Sequence, residues 1–179
     1  AHQGLAEQIK VHSFTRIYEA VVVGHPKEER GTVCAPIGRH PHNRKKMAVT
    51  ATNSKEATTH YEVLTRYAGY SHLRLRLETG RTHQIRVHMS WQGHPLFNDE
   101  RYGGNRILKG TTFMKYKQFI ENCFKLIPRQ SLHARALGFE HPTTGKYVQF
   151  ESELPDDFKA VLQKWDTYTD AVGLDMDEI

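Results

Sequence analysis

The sequence predicts an α+β protein in which a mainly antiparallel mixed sheet is flanked by helices. Three observations carry that expectation. Residues 72–78, HLRLRLE, alternate strictly: Leu73, Leu75 and Leu77 face one way while His72, Arg74, Arg76 and Glu78 face the other, the period of a strand with one buried face. Two β-rich runs, Leu132 to Glu140 and Lys146 to Ser152, are joined through His141-Pro142-Thr143-Thr144-Gly145, which has the composition of a hairpin connection. Apolar residues recur at helical spacing in Phe113, Tyr116, Ile120, Cys123 and Ile127, and again in Phe158, Val161, Leu162 and Trp165. Strands joined by hairpins, with helices between only some of them, indicate α+β rather than a parallel α/β sheet.

The elements follow in order. Ala1 stands directly in a helical stretch with Leu5, Ala6 and Ile9 on one side and no initiating Met. Phe14 to Gly24 reads as a strand stopped by Gly24, His25 and Pro26. Residues 31–49 form a long excursion with short strands at Thr32 to Ala35 and Lys46 to Thr50, and Ala57 to Tyr67 reads as a further strand. After the Leu73 strand, Gly80 is a break, and Thr79 or Thr82 is placed to cap a helix from about Thr82 to Gln92. Ile85 and Met89 take its core side, and Arg86 lies on another stripe with Thr82 and Ser90. Gly93 to Gly110 is glycine-punctuated loop, Thr111 to Leu126 the amphipathic helix that Pro128 stops, and Pro155-Asp156 the start of the last helix. The end of the chain, from Thr169, is expected to fray.

A chain of 179 residues suits a single domain. No apolar run reaches membrane-spanning length and residues 1–10 lack a signal-peptide pattern, so no membrane association and a cytoplasmic location are expected. Cys34 and Cys123 form no CxxC pair and the twelve histidines no HExxH, which disfavours structural zinc. Gly80 and Gly103-Gly104 match neither phosphate-binding glycine pattern, and no serine or cysteine has the setting of a nucleophile. No metal or cofactor is therefore expected. Net charge is +5, but residues 1–150 carry 23 Lys or Arg against 11 Asp or Glu, whereas residues 151–179 carry 2 against 9. A basic body fits a polyanionic partner. Arg39, Arg44, Lys45 and Lys46 in a flexible segment, with Arg74, Arg76 and Arg106, are the candidate phosphate contacts, the plain alternative being solvated surface charge.

The segments RIYEAVVVGH, GTVCAPIGRHPHNRKKMAV, RLETGRTHQIRVHMSWQGHPLFNDERYGG and LHARALGFEHPTTGK, in this order, resemble the catalytic domain of the RluA/RluD-type large-subunit ribosomal RNA pseudouridine synthase family over about residues 1–165. The resemblance implies a pseudouridine synthase-like fold. It also implies cofactor-free isomerisation of uridine in ribosomal RNA, and a parent protein that is monomeric. It makes Tyr18 the tyrosine beneath the target base and Arg86 the partner of the catalytic aspartate, with Arg81, His83 and Gln84 shaping the pocket and Leu137 or Leu132 bordering it. By itself Tyr18 reads as a core aromatic with its hydroxyl bonded, and Arg86 equally as a structural ion pair to Asp99, Glu78 or Glu100. The family's nucleophile belongs to an HRLD-type motif, and no HRLD occurs here; Asp99 lies where the family commonly has a loop Asp, preceded here by Phe97-Asn98. The expectation is thus a partial catalytic domain, truncated at the N-terminus, with residues 166–179 as an acidic tail and no activity of its own. A non-enzymatic RNA-binding module is the rival expectation.

Overall fold

A computed structural model describes residues 2–10, 14–107 and 114–173. Helix α1 (His2–Lys10) leads into β1 (Thr15–Val23), followed by β2 (Arg30–Cys34), β3 (Ile37–Arg39), β4 (Met47–Val49), β5 (Ser54–Lys55), β6 (Thr58–Tyr67) and β7 (Tyr70–Leu77). Then come α2 (Gln84–Trp91), α3 (Met114–Leu126), β8 (Leu132–Glu140), β9 (Tyr147–Glu151) and α4 (Asp156–Val172). The main sheet has the order β2-β6-β7-β1-β8-β9, and β4-β3-β5 make a small second sheet. Every strand pair among the described residues is antiparallel, where a mixed sheet was expected.

The alternation in β7 decides how the layers stack. Leu73, Leu75 and Leu77 are buried with Ala20 and Val22 of β1 and with Ile85 and Met89 of α2, so α2 packs on that face. On the other face Val21, Val23 and Tyr70 meet Tyr116, Ile120 and Cys123 of α3 and Phe158, Val161 and Trp165 of α4. Each of these large side chains contributes roughly 1.5–3 kcal/mol by leaving water. Arg74 and Arg76 share the second face but lie beyond the reach of α4 and stay exposed. Glu19 and His72, on the same face, are buried with Glu19 Oε1 2.8 Å from His72 Nε2, and Arg135 Nε lies 3.1 Å from the other carboxylate oxygen.

Three local expectations change. α2 begins at Gln84, and its N-cap position is His83 in the left-handed region (φ 55°), with no side-chain cap. Thr79 does not cap it because its hydroxyl is already engaged, accepting from the Thr58 N–H at 3.0 Å and donating to Gln84 Oε1 at 2.8 Å. β3 and β5 are too short to show a period; β3 pairs with the 47–49 strand on one side and with β5 on the other to make the small sheet. α4 continues to Val172, so the first residues assigned to the tail are helical: Thr169 Oγ1 accepts the Ala68 N–H and Tyr168 stacks on Phe119. Thr111 to Phe113 and residues 174–179 lie outside the described residues, as does the side chain of Ile9. Among the described residues no helix is long and apolar enough to cross a membrane.

His88 ties α2 to the start of the small sheet. Buried, it donates from Nε2 to the Ala35 carbonyl at 2.9 Å and accepts at Nδ1 from Thr59 at 2.8 Å. Burial lowers its pKa, the bond to Ala35 opposing only in part. Below the unfolded value of about 6.5 the unfolded chain binds the proton more readily, so this contribution to stability is full above that pH and is lost on acidification toward the folded pKa. Thermal melts between pH 8 and 5.5 are expected to fall in Tm with a slope that His88→Gln reduces; an equal slope in the variant removes His88 as the cause.

Candidate active site

Tyr18 is placed by sheet register. It lies opposite Leu75 on β7, hence on the face that α2 covers, and the pairing of β1 with β8 shifts register between Ile17 and Tyr18. The extra residue of this bulge is Arg135 of β8, which turns its Nε to Glu19 at 3.1 Å, while Tyr18 keeps its register with β7. Arg86 reaches the same place from α2. The two border one cavity of about 260 Å³, closed by Leu77, Arg81, His83, Gln84, Ile85, Gln130 and Leu132. That volume is just under the roughly 300–1,000 Å³ of ordinary ligand sites and suits a single ring more than a whole nucleotide.

Gln84 builds the wall rather than offering contacts. Its Nε2 donates to the Thr58 carbonyl and to Thr59 Oγ1, both at 3.0 Å, while its Oε1 accepts from Thr79 and from the Arg81 N–H. With both amide donors and its oxygen engaged, it locks the Arg81–His83 turn that carries the left-handed backbone of His83, a conformation that costs energy outside glycine. Arg81 Nε donates to the Glu56 carbonyl at 2.7 Å, which holds the guanidinium beside the cavity mouth.

Arg86 is not a lone guanidinium. Its Nε and Nη2 donate to the two oxygens of Asp99 at 2.8 and 2.9 Å, and the guanidinium lies over the Tyr102 ring at 4.9 Å. Asp99 is 1% exposed and Arg86 has 13% of its side chain open. The bond to Asp99, chiefly, raises the Arg86 pKa above its ordinary value against the cost of burial. The pairing to Asp99 foreseen as the plain reading is therefore present, and Nη1 and the second N–H of Nη2 are left for the cleft. The loop that delivers Asp99 is pinched shut: Asn98 N–H donates to the Gly104 carbonyl and Gly104 N–H to the Asp99 carbonyl. A Cβ at Gly104 would overlap the Leu96 carbonyl, so only glycine closes this loop.

A second groove, about 690 Å³, continues from the cavity, sharing Arg86 and Gln130 with it. Lys45, Lys46, Arg101 and Arg129 give it cations, with Asn43, Asn98 and Asn105 between them. Of the remaining basic candidates, Arg106 lies by a smaller recess with Lys46 and Arg101, and Arg39 by another with Arg81. Arg44 is exposed in the same segment, its carbonyl accepting from Arg39 Nη1 at 3.3 Å. Arg74 and Arg76 are not brought to this surface; they line a depression on the opposite face of the sheet with Arg30 and His60. Leu132, and not Leu137, lines the cavity. Leu137 sits opposite Phe150 near the sheet edge, 37% exposed. Arg101 and Gln130 were missed in the sequence. Arg101 stands in NDERYGG without any period to mark it, and Gln130 reaches the cavity only because the turn after α3 brings it there.

The profile of the RNA pseudouridylate synthase family matches residues 1–91. The chain is 47% identical over 162 residues to the ribosomal large subunit pseudouridine synthase D of Pseudomonas aeruginosa, covering 90% of this chain and 49% of that protein. Its identity to the enzyme of the same name from Vibrio parahaemolyticus is 42% over 175 residues, covering 97% and 52%. The chain thus spans about half the length of the curated relatives it matches. Human RNA pseudouridylate synthase domain containing 1 superposes with a TM-score of 0.66 at 28% identity, over 94% of this chain and 69% of that one.

Removing one partner of the Arg86–Asp99 pair leaves a charge with little water to solvate it, so Asp99→Asn is expected to lower stability by about 3–5 kcal/mol in denaturant melts. Gly104→Ala should destabilise in the same assay by opening the loop. A loss under about 1 kcal/mol in both variants would mean that the loop does not depend on the pair.

Proposed function

This chain belongs to the RNA pseudouridylate synthase family, and from that membership we propose that it carries the base-binding half of an isomerase acting on uridine in large-subunit ribosomal RNA. The observation that carries the reading is the meeting of Tyr18 and Arg86 on one cavity of base-sized volume, beside a groove with four cations. A target base leaves its stack at a cost of a few kcal/mol, offset by an aromatic platform and polar contacts in the pocket. The Tyr18 ring is the platform here, and Leu132 and Ile85 give the apolar walls.

In the reaction the N1–C1′ bond breaks, the detached uracil turns, a C5–C1′ bond forms, the C5 proton departs and N1 takes up a proton, so that the change is an isomerisation. Tyr18 is the group placed to accept the C5 proton. A carboxylate must stabilise the sugar carbon while it is unattached. Arg86 keeps Nη1 and the second N–H of Nη2 to hold that carboxylate ionised and aimed, because Asp99 takes only its Nε–H and one Nη2–H. Asp99 itself is buried behind the guanidinium and is a positioning group. No HRLD-type stretch occurs in these 179 residues, so turnover requires that carboxylate to be supplied. A cytoplasmic setting goes with the ribosomal RNA substrate. The rival reading, an RNA-binding module without chemistry, uses the same groove and is separated from this one by turnover.

Pseudouridine content of large-subunit ribosomal RNA, measured after incubation, tests the reaction. The isolated 179 residues should give none. With the missing carboxylate present, Tyr18→Phe and Arg86→Lys, which leaves a cation beside Asp99, should each slow conversion by about a hundredfold or more while the melt stays cooperative. Retained rates would return both residues to a packing role. For the groove, Lys45→Ala with Lys46→Ala should weaken RNA binding and reduce its salt slope by about 1 for each phosphate no longer neutralised. Arg74→Ala with Arg76→Ala should leave the slope unchanged, and the reverse pattern would place the RNA on the other face.

A further inference from the structure

Tyr102 joins α2, the small sheet and the Asp99 loop through one side chain. Its hydroxyl lies 2.7 Å from His83 Nδ1 and accepts the Met47 N–H at 3.0 Å. The His83 ring meets its ring edge-on at 5.6 Å, and the Tyr102 carbonyl accepts from Ser90 at 2.9 Å. The residue is 9% exposed.

The direction of each hydrogen bond follows from what each group can do. A backbone N–H only donates, so Met47 fills a lone pair of the phenol, and the phenol proton then needs an acceptor. His83 Nδ1 is the acceptor at hand. A neutral imidazole that accepts at Nδ1 carries its proton on Nε2. Burial, with Arg86 and Arg101 nearby, also favours the uncharged ring. Nε2 has no hydrogen-bond partner among the described residues, and His83 lines the cavity with Tyr18 and Arg86.

We infer that His83 is a base-binding residue whose Nε2–H donates to a carbonyl oxygen of the target nucleobase, and that Tyr102 is the residue that positions it. The inference rests on the reading of the cavity as a nucleobase pocket. A free imidazole can present either a donor or an acceptor; the Met47–Tyr102–His83 chain leaves only the donor, much as a second ligand shell fixes the tautomer of a metal-bound histidine. Uracil offers two carbonyl oxygens to such a group, and a donor that met an amino group instead would leave both unpaired at a cost comparable to burying an unmet polar atom.

Nitrogen-15 correlation of the histidine rings in the labelled chain tests both parts, with a short RNA hairpin carrying one looped uridine as the probe. His83 is expected to show an unprotonated Nδ1 and a protonated Nε2 in the wild-type chain. Tyr102→Phe should mix the two tautomers and weaken hairpin affinity by about two- to tenfold. Adding the hairpin should shift the Nε2–H resonance. A protonated Nδ1 in the wild type, or an unchanged ring in Tyr102→Phe, overturns the positioning role. An unmoved Nε2–H while the amides of Lys45, Lys46 and Arg86 shift overturns the base contact but leaves the RNA reading standing. If no amide shifts at all, the pocket reading fails and the inference falls with it. Should Tyr102→Phe not fold, the wild-type ring state and its titration decide alone.

Discussion

The bidentate pair between Arg86 and Asp99 is the constraint on which the site depends. It crosses from the middle of α2 to the loop 96–104, and both charges are mostly withdrawn from water. In such a setting neither partner is stable without the other, so the loop is tied to the helix and the helix to the sheet beneath it. The Tyr102 ring under the guanidinium and the Tyr102 N–H on Asp99 complete the tie, at 4.9 and 3.3 Å. The cleft therefore has a rigid floor, and the one guanidinium nitrogen that faces no protein carboxylate is fixed in direction.

Around that pair the sheet separates two kinds of surface. The face carrying Leu73, Leu75 and Leu77 receives α2 and ends in the cavity, while the other is covered at one end by α3 and α4 and left open where Arg74 and Arg76 stand. Basic charge is thus present on both sides of the protein, and on the α2 side it runs into the cavity that Tyr18 and Arg86 share. The exposed Lys45 and the partly exposed Lys46 precede β4, whose first N–H is bonded to Tyr102, so the cationic segment and the cleft share a hydrogen bond and not merely a neighbourhood. An anion seated on the lysines would lie within one short strand of the cavity that Tyr18 and Arg86 line.

The polar groups of the HQIR stretch divide between shaping and offering. Gln84 and His88 have their hydrogen-bonding capacity used by Thr58, Thr59, Thr79 and Ala35, and their removal would disturb the frame. His83 keeps one nitrogen for the cavity, and Arg86 keeps Nη1 and one N–H of Nη2. Within a few adjacent residues, side chains whose bonds are filled and side chains open to the cavity are therefore interleaved, because successive positions at the start of a helix point to different sides.

The sequence by itself determined the elements and the family. The strict alternation of β7, the hairpin of β8 and β9 and the apolar stripes of α3 and α4 are local patterns with periods long enough to read, and the RIYEAVVVGH and GRTHQIRVH stretches, through their resemblance to the family, mark Tyr18 and Arg86 respectively. Only the tertiary structure decided the rest. β3 and β5 are too short for a period, and the start of α2 was displaced because a buried glutamine took the threonine that would have capped it. Arg74 and Arg76 alternate with buried leucines as the sequence says, yet which side of the sheet holds the cleft depends on where α2 packs. The choice of Leu132 over Leu137 depends on where each falls along β1, Leu132 opposite Ala20 and Leu137 opposite Arg16, and the partner of Arg86 on a loop closure further along the chain. Register, bulges and loop closure are set by contacts between segments distant in the chain, and such contacts leave no period for a sequence to display.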